Sequence, residues 1–284
     1  MARILSKVEP PALPLAPDEF NRPYQDQLNN VHRLFYNRLT NILGALIGGN
    51  GGQYIEFPNG SFFQDGATTL TAPMTNTSTT PIAVVSTSAF PSAGSLLIGD
   101  EIVAFTGKTP TTFTGITRGV YGSTNVSHAI GQNVTEALGA ASPTTARSIP
   151  FTGITTSNLV TLNTLNPSRV EFGITGRYNI QFSAQLLNVD STDDIVTFWF
   201  KLNGSDIPYS AGVSAIAKKT GAGPGLLIVT WNLVLDILEG SYVELYFASR
   251  TGNTVVATFP AGTAPVTPVS PSVILTATFV SGLP

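Results

Sequence analysis

Over its C-terminal half this chain alternates polar and apolar residues with a period of two. Tyr178, Ile180, Phe182 and Ala184 take one side of such a run, while Asn179, Gln181 and Ser183 take the other, as a half-buried strand requires. Phe198 and Phe200 share a face and Trp199 lies opposite. From Ala146 onward, strand-like runs come at Asn158–Asn163, Ser168–Phe172, Gly176–Leu187, Asp194–Leu202, Ile207–Tyr209, Leu226–Leu238, Tyr242–Ala248, Val255–Thr258 and Ser272–Val280. Asn203-Gly204 follows one of them directly and predicts a tight hairpin. Short strands at this spacing suit a double-sheet antiparallel jelly roll.

A helical period occurs once, near Asn21 to Leu46. Tyr24, Leu28, Val31, Phe35, Leu39, Ile42 and Leu46 step by three or four residues, which draws one stripe along a nearly straight helix. Gln25, Asn29, Asn30, Arg33, Asn37 and Asn41 fill the other side. Asn21 is placed to cap this helix and Pro23 fits its first turn, with Gly48 and Gly49 ending it. The stripe calls for a partner. A parallel three-helix bundle of identical copies is expected, the alternative being that the stripe lies on the chain's own β domain.

Residues 1 to 17 carry Pro10, Pro11, Pro14 and Pro17, which favour extended backbone and forbid a helix. Either this is a loose tail or an arm anchored on a neighbouring protein through Ile4, Leu5, Val8, Leu13 and Leu15. Residues 67 to 80 form a Thr-rich linker. The following stretch, Pro81 to Glu136, has strand-like runs at Ile82–Val85, Ser95–Ile98, Glu101–Thr106, Thr111–Ile116 and Gln132–Glu136, separated by Gly, Pro and Ser. It reads as a small β module inserted after a first strand near Phe57 to Gln64, with the second strand resuming near Ile149. The predicted organisation is an arm (1–17), a trimerisation helix (18–47), a linker and first strand (48–66), the inserted module (67–140) and a jelly-roll head (141–284).

Composition strengthens the mainly β reading. Charged residues make up 11% of the chain, against roughly 25% in ordinary domains. The net charge of −3 supplies no basic field, so nucleic-acid binding is not expected. So sparsely charged a surface fits burial between subunits, where interface cores lose charge. Cysteine is absent, which excludes disulfides, thiolate zinc sites and cysteine nucleophiles. The first ten residues do not read as a signal peptide. Leu226 to Leu238 is the longest apolar run and contains Asp236, so membrane insertion is not expected.

Candidate chemistry is thin. His32 and His128 each stand alone in sequence, whereas a metal site needs three or four convergent donors. Asp190, Asp193 and Asp194 form an acidic cluster open to calcium or glycosidase chemistry, but Asp is common in turns for backbone hydrogen bonding. Asp100-Glu101 reads as a turn. Gly221 to Gly225 lacks the Lys-Ser/Thr of a phosphate loop, and there is no Gly-x-Ser-x-Gly turn. Neither an enzyme activity, a cofactor nor a metal is expected. Binding, if present, falls to loop residues: Asp193, Asp194, Tyr209, Lys218, Lys219 and Arg250.

Three stretches carry a resemblance: FGITGRYNIQF (172–182), YVEL (242–245) and PSVILTATFV (271–280). Together they resemble the trimeric tumour-necrosis-factor-like jelly roll, in the form found at the C-termini of structural proteins of marine tailed bacteriophages. PYQDQLNNVHRLFYNRLTNI followed by GGQYIEFPNGSF is similar to the N-terminal region of the same phage proteins. The module, from Phe90-Pro91 through Gly99 to Ile102 and on to Thr117-Arg118-Gly119 and Ser127-His128, resembles a β module of tailed-phage virion proteins. The resemblance implies a homotrimer of fibre or spike type in the virion. Its trimer contacts would be Leu28, Val31, Phe35, Leu39 and Ile42 of the helix and Tyr178, Ile180 and Phe182, which the family places in the core or on the threefold axis with Val273, Leu275 and Phe279. The arm would attach to other virion proteins, and the head would meet a host surface glycan or protein. The alternative is a capsid fibre or decoration protein without a receptor.

Overall fold

The computed structural model describes residues 11–13, 19–47, 57–140, 143 and 145–283. The chain divides into two units, Met1–Phe57 and Pro58–Pro284. The first contains α1 (Arg22–Ile47), which starts where its cap predicts. Asn21 Oδ1 accepts the Tyr24 N–H at 3.2 Å, and the Asn21 carbonyl accepts Gln25 N–H at 3.0 Å, satisfying donors a helix start otherwise leaves orphaned. The stripe from Tyr24 through Leu28, Val31, Phe35 and Leu39 to Ile42 is half-buried, and none of the helix's described side chains is fully buried. No described helix is long and apolar enough to cross a membrane. Gly48 and Gly49 fall outside the described residues, as do Ile4, Leu5, Val8 and Leu15 of the expected arm; Leu13 is described and exposed.

The second unit is built of strands. It opens with β1 (Asn59–Gln64). The insert then supplies β2 (Ala67–Thr69), β3 (Ile82–Ala83), β4 (Gly94–Ile98), β5 (Glu101–Phe105), β6 (Gly107–Thr109), β7 (Thr112–Thr114) and β8 (Asn133–Gly139). The return begins with β9 (Arg147–Ser148), β10 (Gly153–Asn158), β11 (Val160–Leu162), β12 (Val170–Phe172), β13 (Gly176–Asn188), β14 (Asp194–Leu202) and β15 (Ser205–Asp206). It continues with β16 (Gly212–Ile216), β17 (Gly225–Ile237), β18 (Tyr242–Ser249), β19 (Thr254–Ala257), β20 (Gly262–Thr263), β21 (Val266–Thr267) and β22 (Val273–Ser281).

Two expected strands differ. Leu159 takes a positive φ of 56°, which breaks Asn158–Asn163 between β10 and β11. Ile207–Tyr209 is a turn rather than a strand: Tyr209 sits at φ 63°, and Ser210 Oγ accepts the Phe200 N–H at 3.1 Å.

Pairing is antiparallel and nested. β1 pairs with β22, β12 with β18, β13 with β17 and β14 with β16. Early strands therefore meet late ones and middle strands meet each other, as in one long ribbon folded back on itself. One sheet runs β10–β1–β22–β13–β17 and the other β11–β12–β18–β14–β16. Register places Tyr178, Ile180, Phe182 and Ala184 opposite Phe279, Ala277, Leu275 and Val273, so the alternation seen in the sequence becomes one apolar face. It meets the other sheet directly: the Phe182 ring lies 5.3 Å from Phe198 and 5.6 Å from Phe200. Each such ring buried stabilises the fold by about 1.5–3 kcal/mol. The buried Tyr178 hydroxyl donates to the Ile174 carbonyl at 2.8 Å, so it carries no unpaired donor into the core.

The insert is welded to this sandwich rather than tethered. β13 pairs with β19, and the sheet continues through β8 to β4 and β5. Its own core gathers Leu70, Ile82, Phe90, Leu96, Phe105 and Phe113, with Phe113 rings 5.0 and 4.7 Å from Phe90 and Phe105.

Candidate functional site

Three places carry chemistry, and the first is sealed. Glu101 opens β5, as the Glu101–Thr106 run predicts, directly after the turn at Gly99-Asp100, and its side chain is wholly buried. It accepts from Arg118 Nε and Nη2 at 2.5 and 2.6 Å, meets His128 Nε2 at 2.8 Å and accepts the Val126 N–H at 3.1 Å. Arg118 also donates to the carbonyls of Thr75, Ser78 and Val126. Burial works to raise the Glu101 carboxyl, but Arg118, Val126 and His128 outweigh it and hold it below the usual range. His128 is thus not alone, although nothing reaches this cluster from solvent. It ties the 75–78 and 118–128 loops onto the insert's strand. No group of three or more described His, Cys, Asp or Glu side chains is placed to hold a metal ion.

The second place is a cleft of about 400 Å³ at one apex of the sandwich, lined by Gly122, Thr124, Val189, Asp190, Ser191, Lys219, Thr220 and Gly221. Its floor is fixed by the acidic cluster. Asp190 Oδ2 accepts from Thr192 Oγ1 at 2.5 Å and Asn253 Nδ2 at 3.0 Å, and the Asp190 carbonyl accepts the Lys219 N–H at 2.8 Å. The Thr192 bond leads in holding the Asp190 carboxyl below its ordinary value. Gly122, at φ 74°, brings the insert's backbone onto Asp190, where a Cβ would stand 2.8 Å from that residue's Cβ. Lys219 Nζ reaches Asp100 Oδ2 at 2.8 Å. Hydroxyls, one ionised carboxylate and loop backbone suit a polar, hydroxyl-rich ligand.

The predicted binding residues divide here. Asp193 and Lys218 meet at the apex, with Asp193 Oδ1 accepting the Lys218 N–H at 2.8 Å, and Lys219 lines the cleft. Arg250 is exposed beside them, its N–H given to Ile195. Asp194 is not available for binding. It is 2% exposed and accepts from Ser249 Oγ, Thr254 Oγ1, Thr251 N–H and Ile195 N–H. Burial opposes its ionisation, but these four donors hold its carboxyl below the ordinary value. Tyr209 is 97% exposed, in a turn whose residues Ile207 and Ser210 bond to Phe200, about 20 Å along β14 from Asp194 at 3.3 Å per residue. Gly122, Thr124 and the Glu101–Arg118–His128 cluster were not among the predicted sites. Long sequence separations hide such pairings from any local pattern.

The third place is the outer face of the β10–β1–β22–β13–β17 sheet. Among those five strands the only charged residues are Arg177 and Asp236, and they pair with each other at 2.6 and 3.0 Å. Leu226, Ile228, Val234, Ile274 and Val280 are exposed on it, with Ile228 64% accessible. Thr230, Asn232, Gln181 and Thr276 fill the gaps. The opposite sheet's outer face differs: the Trp199 and Tyr246 rings lie 5.8 Å apart, tilted by 32°, Lys201 and Arg169 lie over tyrosine rings, and Glu244 and Asp206 answer them.

Tyr178, Ile180 and Phe182, expected as trimer contacts, point the other way. They are at most 2% exposed inside the single chain's core, because the period of two sends them inward. Their neighbours Asn179, Gln181 and Ser183 take the outer face instead. No family model matches this chain. No curated protein matches it either.

Proposed function

We propose that this chain is a structural protein of a tailed-bacteriophage particle, a homotrimeric fibre or spike with an outward jelly-roll head. The observation that carries the reading is where the resembling stretches fall. FGITGRYNIQF and PSVILTATFV supply β13 and β22, hydrogen-bonded neighbours in the centre of one sheet, and YVEL lies in β18 at the centre of the other. The nested pairing of early with late strands supports the jelly roll. The nearly uncharged outer face of the first sheet, studded with exposed aliphatic side chains, supports burial against copies of itself. The apolar stripe of α1, none of whose described side chains is fully buried, supports a helical bundle, since an isolated helix gains little stability without packing.

In this reading Leu28, Val31, Phe35, Leu39 and Ile42 meet across the bundle and the arm attaches to other virion proteins. The apex cleft faces outward, where threefold repetition multiplies a weak affinity for a repetitive host surface. A capsid fibre or decoration protein without a receptor is the second reading, since the cleft lacks an aromatic platform.

The test is antibody against the 141–284 region applied to intact particles. Label at the tail supports host adsorption, and label over the capsid supports the decoration role. Purified particles that contain none of the chain contradict both.

A further inference from the structure

β8 runs through both apolar cores. Val134 belongs to the insert's core and Leu138 to the sandwich core. The residue between them on the same face of the strand, by the period of two, is an acid, Glu136. It is 2% exposed. β1 makes the same change at the same level, with Phe62 in the sandwich core and Gln64 beyond it, wholly buried. These two polar residues meet where the cores join: Gln64 Nε2 donates to Glu136 Oε1 at 2.6 Å.

The second carboxyl oxygen is stranded. Glu136 Oε2 is buried and has no hydrogen-bond partner, and a Cβ on Gly66 would stand 3.0 Å from it. A buried neutral O–H without a partner costs about 1–3 kcal/mol, and an unpaired buried charge costs far more. The neutral acid is therefore the form this geometry tolerates. Backbone closes the seam around it. The Glu136 N–H donates to Gly66 O at 2.8 Å, Thr258 N–H to Glu136 O at 3.0 Å, and Ser272 N–H to Gln64 O at 2.8 Å.

We propose that Glu136 is a proton-binding latch at the junction of the two cores, closing the seam when neutral and loosening it when ionised. The proposal rests on the seam alone, independent of the particle reading. Burial pushes the Glu136 carboxyl up to about 7. The charged groups facing it are Asp65, whose charge pushes it up further, and Arg147, which pulls it down. Asp65 is itself raised by burial. A carboxyl raised above its unfolded value stabilises the closed state at low pH. That stability is lost as pH rises from the ordinary 4.5 through about 7. With those two values, the constant for seam opening rises about ten-fold between about pH 6 and about pH 8.

Amide hydrogen exchange on the full chain tests this at the N–H groups of Glu136, Thr258 and Ser272, after division by the intrinsic exchange rate. The wild type is expected to show the ten-fold rise, and Glu136→Gln, neutral at every pH, a flat profile. Both proteins keep His32 and His128, so histidine titration cancels in the comparison. A flat wild-type profile, or the same rise in the variant, overturns the proposal. If Glu136→Gln does not fold, ¹³C-carboxyl NMR of the wild type decides. The Glu136 carboxyl, assigned through its own side-chain carbons, still protonated at about pH 6 supports the latch, and its complete ionisation at that pH overturns it.

Discussion

Glu101→Gln removes the charge at the centre of the insert and changes little in volume. The Glu101 side chain is 0% and the Arg118 side chain 3% exposed, so solvent cannot replace what is lost. Breaking a buried pair by neutralising one partner costs about 3–5 kcal/mol. Arg118 keeps its bonds to the carbonyls of Thr75, Ser78 and Val126, which places the expected cost near the low end, about 3 kcal/mol. For a unit of this size that lowers the melting temperature by about 6–12 °C. Circular dichroism during urea and thermal unfolding, at matched chain concentration, reads the change.

An internal control comes from pH. The Glu101 carboxyl is held below its ordinary 4.5, so its stabilisation is present above that value and lost as pH falls through the depressed one. The gap between wild type and variant should therefore be widest near neutrality and close on acidification. A loss under about 1 kcal/mol, or a gap that does not narrow as pH falls below the ordinary 4.5, refutes the assignment of Glu101 as an ionised anchor.

Two further changes probe the apex. Asp194→Asn turns an acceptor shared by two hydroxyls and two amides partly into a donor, and should cost about 2–3 kcal/mol in urea unfolding; unchanged stability contradicts its structural role. Gly122→Ala forces a side chain into a positive φ and onto Asp190. It should cost about 1–3 kcal/mol and speed amide exchange in residues 188–192, while equal protection there shows that the insert does not brace the cleft.

Much of the fold was legible because it is written locally. The alternation around Tyr178–Ala184, the Asn21 cap and the Asn203-Gly204 turn each depend on neighbours within a few residues, and each is present. Where reading failed, a distant partner decided. Asp194 looked like a surface loop residue because Ser249 and Thr254, which enclose it, lie more than fifty positions away. Glu101 was expected to open a strand and does, but its role as a buried anchor was hidden because Arg118 and His128 lie 17 and 27 positions away. The direction of Tyr178, Ile180 and Phe182 was ambiguous for another reason. Period two separates the two faces of a strand but does not say which one meets the chain's own second sheet.

Self-association through the first sheet's outer face is the claim on which the fibre reading depends. Sedimentation equilibrium of the full chain should give three times the 29.8 kDa chain mass, and Ile228→Asp, placing a charge in the middle of the uncharged face, should shift the population toward smaller species. A wild type that sediments as a single chain at micromolar concentration, or a variant with unchanged association, contradicts it.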